Sequence, residues 1–579
     1  MALDYFAPGV YVEEVDRGSR PLEGISMNVA GFVGFTEDVR GDAELFKPIM
    51  ITNWEQYKQY FAKLDSDGFT DFGAYLPFAV QGWFLNGGGR CWITSIGTKL
   101  PGSPEAEAKD IATQVLTSGG KPALAFNLKS QVLALPGSDT EDSNPINPNR
   151  IQIIITDGKP RELENPETEY KPPVDSGQYF TLIIKEGDEI LEKFENLLNY
   201  QTPESSPESQ SGTYVITALQ DNSYVVVNDI CTPGIGSPLS RRPKNGQYEV
   251  IGGAYITRPG DEIRDLQGQK GDRAGVQGNF EIDEVAIIAC PDLMLLYQRN
   301  LIDLEQVHGV METMISNCEN SFPGPAFRMV VLDPPPVKPG KNNNRAVAPD
   351  QQKPQDVAEW LKQFNRRSMF GALYYPWIKV ANPRDKGKPI LVPPCGHMMG
   401  IWSRTDEARG IFKAPANETP RGVLGIAYDT NMREQQLLNP EGINCIRNFS
   451  NFSRGYKVWG ARTLVEKDNI QWRYISVRRL VSYIEKTIEN GTQWVVFEPN
   501  DMDLWERVKR TVSTFLERLW REGALFGATP AEAFYVKCDG DINTPDTMMM
   551  GRLYVEVGVS PVRPAEFVIF RVSQWSPTE

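Results

Sequence analysis

Histidine is almost missing from this chain. Two occur among 579 residues, His308 and His397, far apart in sequence. Neither stands with a cysteine or carboxylate set at metal-ligand spacing, so no metal is expected. Seven cysteines are scattered singly, at Cys91, Cys231, Cys290, Cys318, Cys395, Cys445 and Cys538. There is no CxxC pair and the count is odd. That pattern excludes a disulfide framework and fits buried thiols in a reducing compartment. No apolar run reaches the roughly 18 residues that a membrane span needs. The first residues, MALDYFAPGVYVEEV, lack a basic n-region and an apolar h-region, so no secretory signal is expected and folding in a cytoplasm is. Positive charge is also short: 60 Lys and Arg stand against 75 Asp and Glu, a formal net charge of −15. Non-specific binding of nucleic acid or anionic membrane needs a cationic surface. Only a local basic patch could supply one here.

Catalytic signatures are equally thin. Cys395 and His397, in PPCGHMMG, would share a face of an extended segment. A metal site would need two more ligands, and a packed loop is the simpler reading. Gly87–Gly89 and Arg90 follow a helical pattern and precede a strand pattern, the reverse of a phosphate-binding Walker loop. No G-x-S-x-G element with triad partners occurs. Acidic pairs such as Glu13-Glu14 and Asp406-Glu407 are common on surfaces and do not define a glycosidase pair. RTDEARG, Arg404–Gly410, sets an acidic pair between arginines, and its structural reading is a charged loop packed between subunits. No enzyme activity and no cofactor are expected.

What the chain does have is apolar patterning over a length that suffices for roughly two to four domains. Hydrophobic residues make up 40% and aromatics 10%, which is a globular composition. Val29–Phe35 reads as a strand buried on both faces. Trp54–Phe61 spaces its aromatics as a helix does, and Leu76–Leu85 reads as a second helix, capped by Asn86-Gly87-Gly88-Gly89. Cys91–Ile96 is the next strand. Val285–Cys290, Arg328–Asp333 and Ala372–Trp377 repeat the strand pattern around a helix at Asp356–Phe364. This alternation predicts a parallel or mixed sheet. Residues 26–99 and 281–455 would then form one discontinuous α/β domain. The intervening 100–280 reads as an inserted β-rich domain on the outside, with strands at Ile151–Thr156, Tyr179–Glu186, Gly212–Ala218 and Tyr224–Asn228. Its polar stretches 138–149 and 202–212 read as loops or disordered tips.

Both ends carry strand formers without obvious partners. Val10, Tyr11, Val12 and Val15 sit ahead of a polar linker, Asp16–Gly24, within an arm over 1–25. They could add to an edge of their own sheet or be lent elsewhere. Phe567, Val568, Ile569 and Phe570 form a second such segment, preceded by Gly558–Pro561 and Arg563-Pro564. Prolines there interrupt pairing and stiffen a connector. An apolar edge of this kind aggregates if left uncovered. Its partner would be Arg552–Val559, where Leu553, Val555 and Val557 alternate with polar neighbours and Phe534–Cys538 lies beside. An intrachain hairpin of 552–559 with 567–573 uses the same residues. A helix over Leu504–Leu525 has one apolar stripe. Arg507, Lys509, Arg510, Arg518 and Arg521 lie mostly elsewhere on it. They are either a solvated face with i,i+4 pairs or a basic surface turned toward an acidic partner.

The last fifth of the chain resembles one family. VRRLVSYIEKTIENGTQWVVFEPND, LWERVKRTVSTFLERLWREGALFG, AEAFYVKCDG and GRLYVEVG…RPAEFVIFRVSQ, spanning Trp472–Gln574, resemble in order the C-terminal domain of contractile tail sheath proteins. That family comprises the sheaths of phage tails and of phage-tail-like injection systems. IWSRTDEARGIFKAPAN, LLNPEGINCIR, YKVWGARTL and the N-terminal FVGF…ITNWEQYKQYF segment are similar to family words too. The resemblance implies a mixed α/β, multidomain protein with a C-terminal sheath domain over 456–579 and with both terminal strands exchanged between subunits. It further implies a helical homopolymer around an inner tube protein, with baseplate and terminator or cap proteins as partners, assembled in a bacterial cytoplasm. The five basic residues would then face the tube. The expected function is a contractile sleeve of an injection system that drives the tube by contraction. The alternatives are the sheath of a phage virion and, more remotely, a cytosolic enzyme with an unrecognised site.

Overall fold

The computed structural model describes residues 22–63, 66–100, 113–128, 151–160, 177–186, 189–201, 212–220, 222, 224–231, 238–250, 262–271, 273–320, 326–340, 344–449 and 455–571. The N-terminal strand formers Val10–Val15 and the polar stretch 138–149 lie outside them, as does 202–211 of the second polar stretch.

The centre of the molecule is an eight-stranded sheet. Its strands in chain order are β1 (Ala30–Gly34), β2 (Pro48–Ile51), β3 (Cys91–Ser95), β4 (Ile287–Ala289), β5 (Met329–Leu332), β6 (Gly371–Tyr375), β7 (Ile443–Asn448) and β8 (Tyr456–Val458). Their order across the sheet is β2-β3-β1-β4-β5-β6-β7-β8. The six inner strands run parallel. The two edge strands, β2 and β8, pair antiparallel. Strands β1, β4, β5 and β6 are buried at every residue, which accounts for their unbroken apolar runs. One sheet thus joins strands from both sides of the segment 100–280.

Helices cover this sheet: α1 (Trp54–Phe61), α2 (Leu76–Leu85), α3 (Leu304–Glu319), α4 (Pro354–Phe364) and α5 (Cys395–Arg409). Their starts follow local capping rules. Asn53 accepts from the Gln56 amide at 2.8 Å, and Asp303 and Gln306 form a reciprocal capping box. Helices α2 and α5 approach very closely because glycines face the contact. A Cβ on Gly396 would lie 2.2 Å from the Ala79 carbonyl oxygen, and one on Gly82 would lie 2.2 Å from the His397 ring.

Residues within 113–250 form two mainly antiparallel sheets, of three and five strands. They share a separate apolar core that includes Val115, Phe126, Ile153, Leu182 and Val225. The helix Gly275–Phe280, inside the stretch read as inserted, packs into the central core instead. Gly212–Ala218, expected as a strand, is a two-residue strand at Thr213–Tyr214 followed by one helical turn at Val215–Ala218. The turn brings Val215 and Leu219, four apart, into the same core.

The C-terminal part pairs two helices, α6 (Ile475–Gly491) and α7 (Met502–Arg521), with a two-stranded antiparallel sheet of β9 (Phe534–Lys537) and β10 (Glu556–Val559). The stripe read from the sequence is the buried face of α7: Leu504, Trp505, Val508, Val512, Phe515, Leu516 and Leu519. The helix ends before the expected Leu525, because Gly523 adopts φ +85° and turns the chain back.

Candidate functional site

The order of the central sheet reverses between β1 and β4. In open α/β sheets the crevice at that point, beyond the carboxyl ends of the strands, is where ligands bind. Here the Asp292 carboxyl group occupies it, accepting the Phe35 amide at 2.7 Å and the Tyr75 amide at 2.5 Å. It ties the end of β1 to the start of α2. Asp333, just after β5, does the same for α5 by accepting the Cys395 amide at 3.0 Å. Both groups are buried. Burial pushes each up to about 7, against the opposing pull of their hydrogen bonds.

This geometry corrects two expectations. Cys395 and His397 lie in the first turn of helix α5, not in an extended segment or loop. Side chains two apart on a helix do not face each other. Burial lowers the His397 imidazole to about 4, so the ring is neutral, and it packs over Gly82. Burial, with Asp333 adding to it, raises the Cys395 thiol. The cap on α5 comes from Asp333, 62 residues away, so no local signal announced the helix. Arg404–Gly410, read as a charged loop between subunits, is the last part of α5 and its C-cap. Among the described residues, no group of three or more His, Cys, Asp or Glu could hold a metal ion. No described helix is long and apolar enough to cross a membrane. Among the described residues none of the seven cysteines is in a disulfide, and six of them are buried.

The roots of the two terminal arms are built with more care than either feature. The polar stretch ending at Gly24 was expected to be a loose linker, but Leu22 is only 3% exposed and belongs to the C-terminal core. Its carbonyl accepts from Arg518 Nη2 at 3.3 Å. A Cβ on Gly491 of α6 would lie 2.1 Å from Leu22 Cδ2, so the root lies against that helix. Farther along, Arg479 of α6 donates to the Met27 carbonyl at 3.0 Å and holds both oxygens of Asp406 on α5. An aspartate read as part of a surface acidic pair and an arginine given no role of its own thus join three parts of the chain. The one sequence hint was Arg478-Arg479 inside the apolar run of α6.

At the other end, β10 gives way to an arm without regular structure. Three backbone bonds hold its beginning: Phe526 N to Ser560 O, Ser560 N to Ala533 O and Val562 N to Ala524 O. Glu566 then reaches the junction between the central and C-terminal parts. It accepts from Arg462 Nε at 2.9 Å and Nη2 at 2.6 Å, from Asn439 Nδ2 at 2.7 Å and from the Tyr474 hydroxyl at 3.0 Å. Burial opposes ionisation there. The four donors prevail and hold the carboxyl below the ordinary glutamate range. Immediately beyond it, Phe567, Val568, Ile569 and Phe570 are 69–86% exposed. They pair with no strand among the described residues, so the intrachain hairpin with 552–559 does not form. Among the described residues strand β10 pairs with β9 alone and the sheet has two strands, which leaves an outer edge on each. Val555 and Val557 pack against the C-terminal core, as does Leu553.

The basic positions of α7 face outward with company. Arg507 stacks on Trp494 at 4.7 Å and lies 3.7 Å from Glu498. Lys509 lies 3.7 Å from Glu506, Arg521 is 2.5 Å from Glu517, and Arg518 is 4.0 Å from Glu522. Arg510 is exposed and makes no ion pair among the described residues.

Comparison with known proteins bears on the domains that carry these features. Residues 312–464 match the phage tail sheath protein central domain, and residues 467–574 match the phage tail sheath C-terminal domain. The chain is 27% identical over 210 residues to the tail sheath protein of Salmonella phage ViI, covering 36% of this chain and 32% of that protein. It is 25% identical over 209 residues to a putative prophage major tail sheath protein of Pseudomonas aeruginosa, covering 34% and 50%. The chain thus spans a third to a half of these curated relatives. Its fold is similar to the sheath of an extracellular contractile injection system, the PVC sheath complex in its contracted state, with TM-score 0.51, 20% identity and 99% of each chain covered.

Proposed function

Because this chain belongs to the contractile tail sheath family and carries that family's central and C-terminal domains in order, we propose that it is the sheath subunit of a contractile injection apparatus. Subunits polymerise as a helical sleeve around an inner tube. The sleeve assembles extended and metastable, and its contraction drives the tube with energy stored at assembly. No nucleotide or cofactor takes part. The observation that carries this reading is the C-terminal arm: a fixed root followed by four exposed apolar residues with no strand partner among the described residues. A monomer with such a segment is incomplete.

Strand addition fits this need. Main-chain hydrogen bonds give affinity while linkers flex, so coupled subunits stay coupled through a large rearrangement. The two-stranded sheet of β9 and β10 is marginal alone and has outer edges to offer. Val10, Tyr11, Val12 and Val15 of one neighbour and Phe567, Val568, Ile569 and Phe570 of another would extend it. The basic positions Arg507, Lys509, Arg510, Arg518 and Arg521 would face an acidic tube. Baseplate and terminator proteins would close the ends, and assembly would take place in the cytoplasm. The domain plan that goes with this reading places an arm at 1–25, a discontinuous domain at 26–99 and 281–455 that also takes in the helix Gly275–Phe280 and strand β8, an outer insertion in the rest of 100–280 and the sheath domain in the rest of 456–579.

A phage virion sheath is the second reading, favoured by the curated phage relatives. An injection system is preferred because the similar sheath of that class is matched along 99% of both chains. Co-expression with candidate tube, baseplate and capsid genes from the same locus, followed by electron microscopy, tests both. Sleeves around tubes without heads support the injection system. Compact particles in every combination would refute the sheath reading.

A further inference from the structure

The connector before the C-terminal arm, Gly558–Pro561 with Arg563-Pro564, reads in the sequence as stiffened by proline. Three backbone hydrogen bonds pin residues 560 and 562 to the loop 524–533. Four side-chain bonds then pin Glu566. Only Arg563, Pro564 and Ala565 lie between, and proline limits their freedom. The clamp is two-pronged: Arg462 presents two guanidinium nitrogens to the carboxylate, a geometry with direction as well as strength. Arg462 is itself fixed, since its Nη1 donates to the Asn439 carbonyl at 3.1 Å and its amide donates to Asn444 Oδ1 at 2.7 Å.

We infer that Arg462, Asn439 and Tyr474 form a latch for Glu566 that places the pivot of the C-terminal arm after residue 566, so that the strand lent to a neighbour leaves the subunit with no slack. This inference rests on the strand-exchange reading above. The latch is a positioning device. It sets where the exposed segment starts and therefore how far away its acceptor edge lies. Six residues, Glu566 to Arg571, reach about 20 Å when extended. Opening the latch frees about four more residues. That lengthens the flexible stretch from six to about ten residues. Effective concentration falls as about the −3/2 power of tether length, so each arm would engage about twofold less readily.

The test uses the full chain with Cys231, the one cysteine that is not buried, changed to Ser. Exposed Ala565 is changed to Cys and carries a spin label. The latch predicts an immobilised label in the unassembled subunit, and a mobile one in Glu566→Gln and in Arg462→Gln. Arg563→Gln, which alters a neighbouring exposed charge, leaves the label immobilised. Thermal melting of the variants separates an opened latch from unfolding. Arg462→Lys, which keeps charge but loses the fork, gives an intermediate spectrum. Without the label, Glu566→Gln raises the critical concentration for sleeves about twofold or more. A label equally mobile before and after Glu566→Gln overturns the latch. If the unsubstituted chain forms no sleeves, the sheath reading falls while the spin-label result still decides the latch. If Glu566→Gln frees the label yet leaves the critical concentration unchanged, the pivot does not limit exchange and the inference fails.

Discussion

Arg479 and Asp406 form a two-point ion pair, at 2.8 and 2.6 Å, in which both side chains are more than nine-tenths buried. The pair crosses from the first C-terminal helix to the helix that covers the central sheet. Its arginine also stacks on Trp402 at 5.1 Å and holds the Met27 carbonyl. Removing one partner strands the other charge in a dry site, at a cost of about 3–5 kcal/mol. Arg479→Ala is therefore expected to melt far below the parent or to accumulate insoluble. Arg479→Leu with Asp406→Leu recovers part of the loss, because no uncompensated charge remains. Glu517→Ala, which opens the exposed pair with Arg521, costs about 1 kcal/mol or less. Urea unfolding of the three variants checks the ordering.

The root of the N-terminal arm makes a sharp boundary. Leu22 lies in the C-terminal core and Met27 accepts from Arg479. Deleting residues 1–20 leaves both in place, and the protein is expected to stay folded with an unchanged melting temperature while forming no long sleeves. Deleting residues 1–28 removes a buried leucine and an acceptor for a buried arginine, and is expected to lower stability by at least about 2 kcal/mol. Circular dichroism melts of the two deletions decide this.

Asp333 gives a pH dependence with a definite sign. Burial raises its folded-state value to about 7, well above the ordinary aspartate range. Between the unfolded and folded values the native state holds more protons than the unfolded chain, so stability falls as pH rises through that window. The contribution is full below about pH 4 and is lost by about pH 7. Asp333→Asn keeps an oxygen for the Cys395 amide and removes the titration. Parent stability relative to this variant should fall by roughly 1–3 kcal/mol between pH 5 and pH 8. A constant difference across that range would contradict the assignment.

The basic face of α7 can be tested without disturbing the arm. Arg518 also binds the Leu22 carbonyl, so it is left alone. Arg507→Glu with Arg510→Glu keeps helix propensity nearly constant and reverses local charge. The variant is expected to fold normally and to load poorly on tubes. Loading of the parent should weaken with salt, since the screening length falls to about 3 Å near 1 M. Normal loading by the double variant would leave these residues a solvated face.

The legible parts of the fold were those with local periodicity. The runs at Ala30–Gly34, Met329–Leu332 and Gly371–Tyr375 have no polar alternation because both faces are covered, and the stripe of α7 has helical spacing. Illegible parts were fixed by partners distant in sequence. The start of α5 depends on Asp333, the docking of Leu22 on Gly491 and Arg518, and the fixing of the connector on Glu566 meeting Arg462 across 104 residues. Composition and spacing carry no trace of such pairings. Of the candidate site, the exposed FVIF segment was visible as an apolar run that needs cover from its own subunit or a neighbour, whereas the clamp that aims it was not.

The most direct measurement is a cryo-electron microscopy map of the protein polymerised on its tube, at a resolution that traces the backbone. The account predicts a helical sleeve in which Phe567–Phe570 of each subunit continues the β9–β10 sheet of a neighbour, leaving from a Glu566 still bound to Arg462 of its own chain. A map in which these residues fold back onto their own subunit, or a protein that forms no sleeve with any tube of its locus, would contradict it.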